Sequence, residues 1–500
     1  MIRSSPVRPH LVLAACCLSL FLVMMDVTIV NVALPAIRAG LGGGLSTLQW
    51  VVDAYTLVVA TLLVLAGSTA DRIGRRLVFT SGIVVFCLGS VLCGLAPSAW
   101  ALVLARGFQG LGGAMLNPVA LSIIANVFVE PAARARAIGV WGAMSGLALA
   151  LGPLIGGMLT TLVGWRAVFL VNLPVGALAL VLSLRVIPES RAVRVRPIDR
   201  AGQALVALIL AAATAALIEA RDYGWHAPGI RAGLAIAAVG LVVLYRVERR
   251  SAHPMLDLRF FRALPFSGAI VIAVFAFAIF SSFLFLNTLY LQEARGLSAM
   301  RAGLYTLPFA LGVVACAPLS GRLVGARGAR LPLLLSACGL GSGALLLTGL
   351  TPVTPPVVLL LSYSLCGCGF GLCNAPITNS AVSGMPRDQA GLAAALASTS
   401  RQVGALLGVA LSGTMMGAVL TRAAGSGAAL ALATHRIWWL LVALSCAVGA
   451  LGFFTTGGRA RASAQAARAL FDDAPVPVPV PVPVTVPVAG YRTDSTPPST

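Results

Sequence analysis

LVLAACCLSLFLVMMDVTIVNVALP, residues 11–35, is apolar on both sides of one carboxylate, Asp26. The run is long enough to cross a hydrocarbon core, which takes about 20 residues of helix. A charged side chain at such depth costs at least ~2.5–3.5 kcal/mol on insertion scales, so an acid inside the run marks function by default. Arg3 and Arg8 ahead of it imitate a signal peptide, but the stretch is too long, carries an acid and has no small-residue cleavage site before Pro35. It is expected to stay as the first span.

Working outward, fourteen such runs fill the chain, at about 11–34, 48–69, 77–96, 100–127, 137–160, 166–187, 202–219, 231–247, 266–290, 302–324, 331–350, 355–379, 391–419 and 436–456. Of 500 residues, 59% are hydrophobic and only 10% charged, against roughly 25% charged in a soluble domain. The fold class is therefore an all-α polytopic membrane protein.

The net charge of +20 comes from arginine alone, with no lysine. These arginines sit in short connections between the runs, which suits membrane topology and anionic lipid rather than nucleic acid. With the N-terminus inside, 25 arginines fall in cytosolic segments and 8 outside, while Arg106 and Arg401 lie within spans. Trp50, Trp100, Trp165, Trp225, Trp438 and Trp439 all fall near outer span ends, as interfacial aromatics do. Both signals predict cytosolic termini.

An internal repeat is visible. GSTADRIGRR (67–76) follows the second run and GRLVGARGAR (321–330) follows the tenth, 254 residues later. Gly67, Gly74 and Arg76 match Gly321, Gly328 and Arg330, while Gly325 stands where Asp71 would. Two six-helix halves with an inserted pair account for the offset, and parallel repeats of this kind build transporters around a central cavity. The expected division is a cytosolic N-terminus (1–10), a first bundle (11–187), a linker with two inserted helices (188–265), a second bundle (266–456) and an unstructured Pro/Val-rich cytosolic tail (457–500). In that tail, proline at every second position of APVPVPVPVPVTVPV (474–488) forbids a ladder strand and predicts polyproline II.

The ten cysteines lie within apolar runs; Cys366, Cys368 and Cys373 cluster without a histidine nearby, which favours packing over a metal site. The four histidines, His10, His226, His253 and His435, fall outside the span centres, against a haem-bearing subunit. Without lysine there is no Walker A motif and hence no primary pump. A membrane-embedded enzyme would need a metal or nucleophile constellation that is missing from the spans, so no enzymatic activity and no cofactor are expected.

MDVTIVNVALP in run 1, QWVVDAYTL opening run 2, GSTADRIGRR after it, LARGFQGLGG in run 4, GPLIGG in run 5, WRAVFLVNLPVG leading run 6 and RQVGALLGVA in run 13 together resemble the major facilitator superfamily. More narrowly they resemble its 14-span drug:proton antiporter branch of multidrug and antibiotic exporters, over about residues 11–456. The resemblance implies the major facilitator fold and a proton-coupled antiporter in the bacterial cytoplasmic membrane. Such a protein exports an antibiotic or drug-like amphipathic compound, is driven by the proton gradient and works as a monomer. Proton-linked uptake shares the fold; the run 5 motif, with Gly152, Pro153, Gly156 and Gly157, resembles the exporter signature.

Roles attach to particular residues. Asp26 and Asp53 lie roughly 7–11 Å inside the outer boundary at 1.5 Å per residue, with Arg106 at similar depth. Burial disfavours the carboxylate and a nearby arginine favours it, so an acid between the two influences can switch protonation. Asp26, Asp53 and Arg106 are the expected proton-coupling residues. Asp71 resembles the family's loop acid, with Arg75 and Glu130 as expected partners in a conformational latch and the start of run 13, near Gly391, as a third. Asn31, Gln109, Asn117, Asn374 and Arg401 are the candidates for the substrate cavity.

Overall fold

The computed structural model describes residues 8–192, 199–251, 254–383, 385, 389–420 and 427–472. The first bundle comprises α1 (Pro9–Leu41), α2 (Leu45–Ile73), α3 (Arg75–Gly94), α4 (Ala99–Val127), α5 (Pro131–Leu162) and the broken pair α6 (Ala167–Leu170) and α7 (Asn172–Val186). The inserted helices are α8 (Arg200–Tyr223) and α9 (Pro228–Arg250). The second bundle comprises α10 (Leu264–Leu289), α11 (Ala299–Arg327), α12 (Arg330–Leu346), α13 (Pro356–Val382), α14 (Ala390–Leu420) and α15 (Gly427–Phe454). A further helix, α16, covers Gly458–Asp472.

Each of the fourteen expected runs falls on helix. Among the described residues, twelve helices are long and apolar enough to cross a membrane; α12 is a shorter apolar helix, and α14 occupies the thirteenth run. Two boundaries differ from expectation. Pro35 does not end α1, because the helix continues to Gly42, whose φ of 74° terminates it. The helix α16 replaces the beginning of the expected unstructured tail. Its sequence, GRARASAQAARALFD, is rich in alanine and arginine, both strong helix formers. Ala460, Ala464 and Ala467 are buried, the last of them in one cluster with Phe260 and Phe266, and Ser463 Oγ accepts from Leu264 N at 3.0 Å. The Pro/Val segment 474–488 lies outside the described residues.

The two bundles pack by the same device. A Cβ at Gly156 of α5 would sit 2.7 Å from Ile29 Cγ1 and 3.0 Å from its carbonyl oxygen on α1. Four residues earlier, a Cβ at Gly152 would collide with Thr28 Oγ1. In the second bundle Gly404 and Gly408 of α14 press on the carbonyls of Val274 and Ala278 of α10. Small residues permit this approach because helices in lipid associate by close packing rather than by the hydrophobic effect. The bundles meet along α5 against α11 and α2 against α14, and the α5–α11 seam is reciprocal. A Cβ at Gly157 would lie 2.5 Å from Ala299 O, and one at Gly303 would strike the carbonyl of Pro153.

At the face bearing the interfacial tryptophans, one apolar cluster runs through both bundles, joining Val30, Leu34 and Leu48 to Phe285, Leu289 and Met416. At the arginine-rich face the cores are separate among the described residues: one holds Val12, Phe79 and Ile123, the other Phe266, Ala381 and Leu396. The bundles are thus sealed together at the tryptophan face and part toward the arginine-rich one.

Helix α8 lies against both α2 and α14. Glu219 accepts from Trp50 Nε1 at 2.7 Å, Asp222 from Ser46 Oγ at 2.6 Å, and Gln203 donates to Thr61 O. On the other side Thr414 Oγ1 donates to Leu217 O at 2.6 Å. The inserted pair therefore flanks the α2–α14 seam.

Gly408→Val is expected to lower the midpoint of thermal unfolding in detergent by several degrees, since overpacking costs about 1–3 kcal/mol. Gly139→Val, at a position with open space around it, should leave the midpoint unchanged.

Candidate functional site

Asp26 lies midway along α1 and is fully buried. Its Oδ2 accepts from Arg106 Nη1 of α4 at 2.5 Å. Its Oδ1 accepts from Gln109 Nε2, one turn further along α4, at 2.8 Å and from Asn172 Nδ2 at 2.9 Å. Only N–H donors reach either oxygen, the pattern of an ionised carboxylate, which accepts only. Arg106 is held in turn. Its Nε donates to Val51 O at 3.1 Å and Nη1 also to Gln109 Oε1 at 2.6 Å, while the guanidinium stands 4.5 Å over the Tyr55 ring. Ser90 Oγ of α3 accepts from both Gln109 Nε2 (2.9 Å) and Asn172 Nδ2 (3.2 Å). Five helices thus meet in one network, with the carboxylate of α1 held directly from α4 and α7. None of Asp26, Arg106, Gln109, Ser90 or Asn172 is more than 1% exposed.

The local sequence explains the geometry. Positions 106 and 109 are one turn apart on α4, so they share a face. Asn172 sits where the sixth run breaks into α6 and α7, beside Pro174, which has no N–H to continue a ladder. The break brings its amide to Asp26. Gly113 lets α4 approach the Tyr55 hydroxyl so closely that no Cβ would fit.

Asp53 is not part of this network. It is fully buried on α2, and neither oxygen has a hydrogen-bond partner among the described residues. One turn away, Gln49 Nε2 crosses to the second bundle and donates to Ala410 O at 2.8 Å and Val409 O at 3.2 Å. Two other bonds also cross at the tryptophan face: Gln292 Nε2 to Val32 O at 2.8 Å, and the Arg38–Glu293 ion pair at 3.2 Å.

The expected latch is assembled only in part. Arg75 pairs with Asp71 through Nη2 at 2.8 Å and Nε at 3.0 Å. Glu130 is exposed and its side chain has no ion pair among the described residues; Arg134 instead donates to Phe128 O and Val129 O. No bond joins Asp71 to the start of α14 among the described residues. The α2–α3 turn is gripped by Glu189, which follows α7. Its carboxylate accepts from Arg76 N at 3.1 Å and Leu77 N at 3.2 Å, satisfying free amides at the start of α3. Gly74, at φ 133°, leaves room for it.

The cavity candidates separate. Gln109 belongs to the Asp26 network. Asn31 is buried and donates to Val27 O at 2.7 Å within its own helix. Asn117 and Asn374 are half-buried. Arg401 of α14 is half-buried, with Nη1 on Ser398 Oγ at 3.2 Å and Nη2 on Thr378 Oγ1 at 2.5 Å.

The family model of the Major Facilitator Superfamily matches residues 16–409. The chain belongs to that superfamily. The multidrug resistance protein Stp of Mycobacterium tuberculosis (strain CDC 1551 / Oshkosh) is 40% identical over 82% of this chain and 76% of its own length. The methylenomycin A resistance protein of Streptomyces coelicolor is 35% identical over 84% and 88%. The puromycin resistance protein of Streptomyces alboniger is 37% identical over 86% of each. Among solved structures, a bacterial homolog of the human lysosomal transporter Spinster matches with a TM-score of 0.63 at 18% identity, over 93% of this chain and 99% of that one. A POT family transporter gives 0.66 at 15%, over 87% and 95%. Both share the fold of this chain.

Two members of the site have no assigned role in the sequence reading. Asn172 lies within the quoted WRAVFLVNLPVG segment, where its place before Pro174 in an apolar run is the available signal. Ser90 gives none. Asn172→Leu should cost about 1–3 kcal/mol of stability by stranding buried partners, read as earlier unfolding in detergent, while Asn379→Leu at an exposed position should not.

Proposed function

We propose that this superfamily member is a proton-coupled antiporter that exports an antibiotic or drug-like amphipathic compound across the bacterial cytoplasmic membrane and so confers resistance. The observation that carries the reading is the buried Asp26–Arg106 pair with its amide donors. The names of the relatives, which are resistance proteins, support the substrate class. The arginine-rich face is placed in the cytosol, with both termini, on the positive-inside bias.

In this arrangement the cleft opens to the cytosol, and a protonated Asp26 gives up its proton there as compound enters, leaving the ionised pair. Once the bundles rock to open the opposite face, a proton taken from outside neutralises Asp26 and releases Arg106 from its ion pair. Arg106 keeps Val51 O and Gln109 as acceptors, so the guanidinium stays solvated by the protein while its counter-ion is lost. That exchange gives the two faces different energies in the two protonation states, which is what coupling requires. Asp53 is the second proton site: it is fully buried and neither oxygen is hydrogen-bonded among the described residues, and a buried charge without partners is costly. The gradient is the only energy source, no cofactor takes part, the chain carries out no bond chemistry, and one copy suffices.

Everted vesicles with an imposed pH gradient should release protons when compound is added. Asp26→Asn should insert normally yet lose gradient-driven export at least about tenfold, and full activity in that variant would reject the assignment. Arg106→Lys should also fail, because an ammonium cannot reproduce the forked contacts to Asp26, Gln109 and Val51.

A further inference from the structure

The second bundle carries a cation that the proton site does not use. Arg401 stands about 16 Å along α14 from its first residue, Ala390, at 1.5 Å per residue. It points into the junction of α10, α13 and α14. Its guanidinium lies 5.9 Å from the Phe277 ring of α10 and bonds Thr378 of α13. It has no carboxylate partner among the described residues, in contrast to Arg106. Among the described residues two hydroxyls answer it, and Nε, although buried, has no acceptor there. An intramembrane arginine that faces its own bundle without a counter-ion is costly and marks a solute path. The Thr378 end is exposed, and it lies toward the arginine-rich face, where the two bundles part.

An aromatic wall begins beside it. Phe277 meets Phe370 edge-on at 5.1 Å between ring centroids, and Phe370 stacks on Phe280 at 4.3 Å. Phe370 and Phe280 are buried, whereas Phe277 is half-exposed. Phe277 is therefore the accessible end of a stack whose interior is closed. On α13, Phe370, Asn374 and Thr378 follow at four-residue steps and share the face toward Arg401.

Resting on the export reading above, we infer that the compound carried is an aromatic acid: a flat ring system bearing a carboxylate or an acidic phenol. The ring lies on Phe277, and the anion meets the Arg401 guanidinium as a charge-assisted pair, using the N–H groups that the protein leaves without acceptors. A lipophilic cation finds the opposite of what it needs here, because the fixed charge repels it.

The test uses 9-anthracenecarboxylate, its methyl ester and 9-(aminomethyl)anthracene, titrated by fluorescence against the detergent-solubilised full chain without any gradient. The carboxylate should bind at least about tenfold more tightly than the ester, and the amine more weakly still, as expected for a charge-assisted contact. Arg401→Gln should bring carboxylate and ester to within about twofold of each other. Arg401→Lys should keep part of the preference, showing that charge and not merely side-chain volume is read. Equal losses for acid and ester in Arg401→Gln, or a wild-type preference for the amine, would overturn the inference. Because binding needs no gradient, failure of vesicles to export a compound that is still bound selectively counts against export, and leaves the acid site supported.

Discussion

Two opposite charges buried with no access to water set the terms for the rest of this protein. Removing a carboxylate and a guanidinium from solvent costs several kcal/mol per ion, offset only where geometry and further hydrogen bonds are both good. Around Asp26 and Arg106 they are. Two amides, a backbone carbonyl and an aromatic face complete the shells, and Ser90 anchors the amides in turn. Each donor comes from a different helix or a different turn, so the pair fixes how α1, α2, α3, α4 and α7 stand relative to one another. Breaking one contact strands the others, which couples the charge state of a single carboxyl to the packing of a bundle.

The glycine seams convert such a change into movement of whole bundles. Within each half, α5 meets α1 and α14 meets α10 through glycines four residues apart. The first pair lies against side chain and backbone of Thr28 and Ile29, the second against the backbone of Val274 and Ala278. Thr28 and Ile29, against which α5 closes, lie within one turn of Asp26. Between halves, α5 also presses on α11 through Gly157 and Gly303. Helix α5 thus touches both the helix that carries the acid and the opposite bundle. Such close surfaces slide or separate but do not compress. At the tryptophan face the seam is closed by apolar contacts, by Gln49 and Gln292, and by an exposed ion pair worth at most about 1 kcal/mol. A seal held mostly by packing and a few carbonyl contacts is one that a rigid-body motion can open.

Much of this was legible in the chain. Hydropathy alone located the fourteen runs, because a continuous apolar run of about 20 residues satisfies its own backbone in lipid only as a helix. Asp26, Arg106 and Gln109 stood out as polar residues in apolar runs, and the structure brings all three together. Asn172 and Ser90 were harder, since small neutral side chains raise no electrostatic alarm and their partners lie 146 and 19 residues away. Glu189, in the linker after α7, had no assigned role; only the fold returns it to the α2–α3 turn. Glu130 shows the reverse, an acid matched to the latch by resemblance but left at the surface with its seam open. The helix after Gly458 was hidden by the Pro/Val repeat behind it, although alanine spacing in 460–467 carried the signal.

The central claim is that compound and proton compete through the state of Asp26. Its most direct measurement is proton release by purified protein in weakly buffered detergent when the exported compound is added. The account predicts stoichiometric release that falls by at least one proton in Asp26→Asn while the compound still binds. Release that is unchanged in that variant would contradict it.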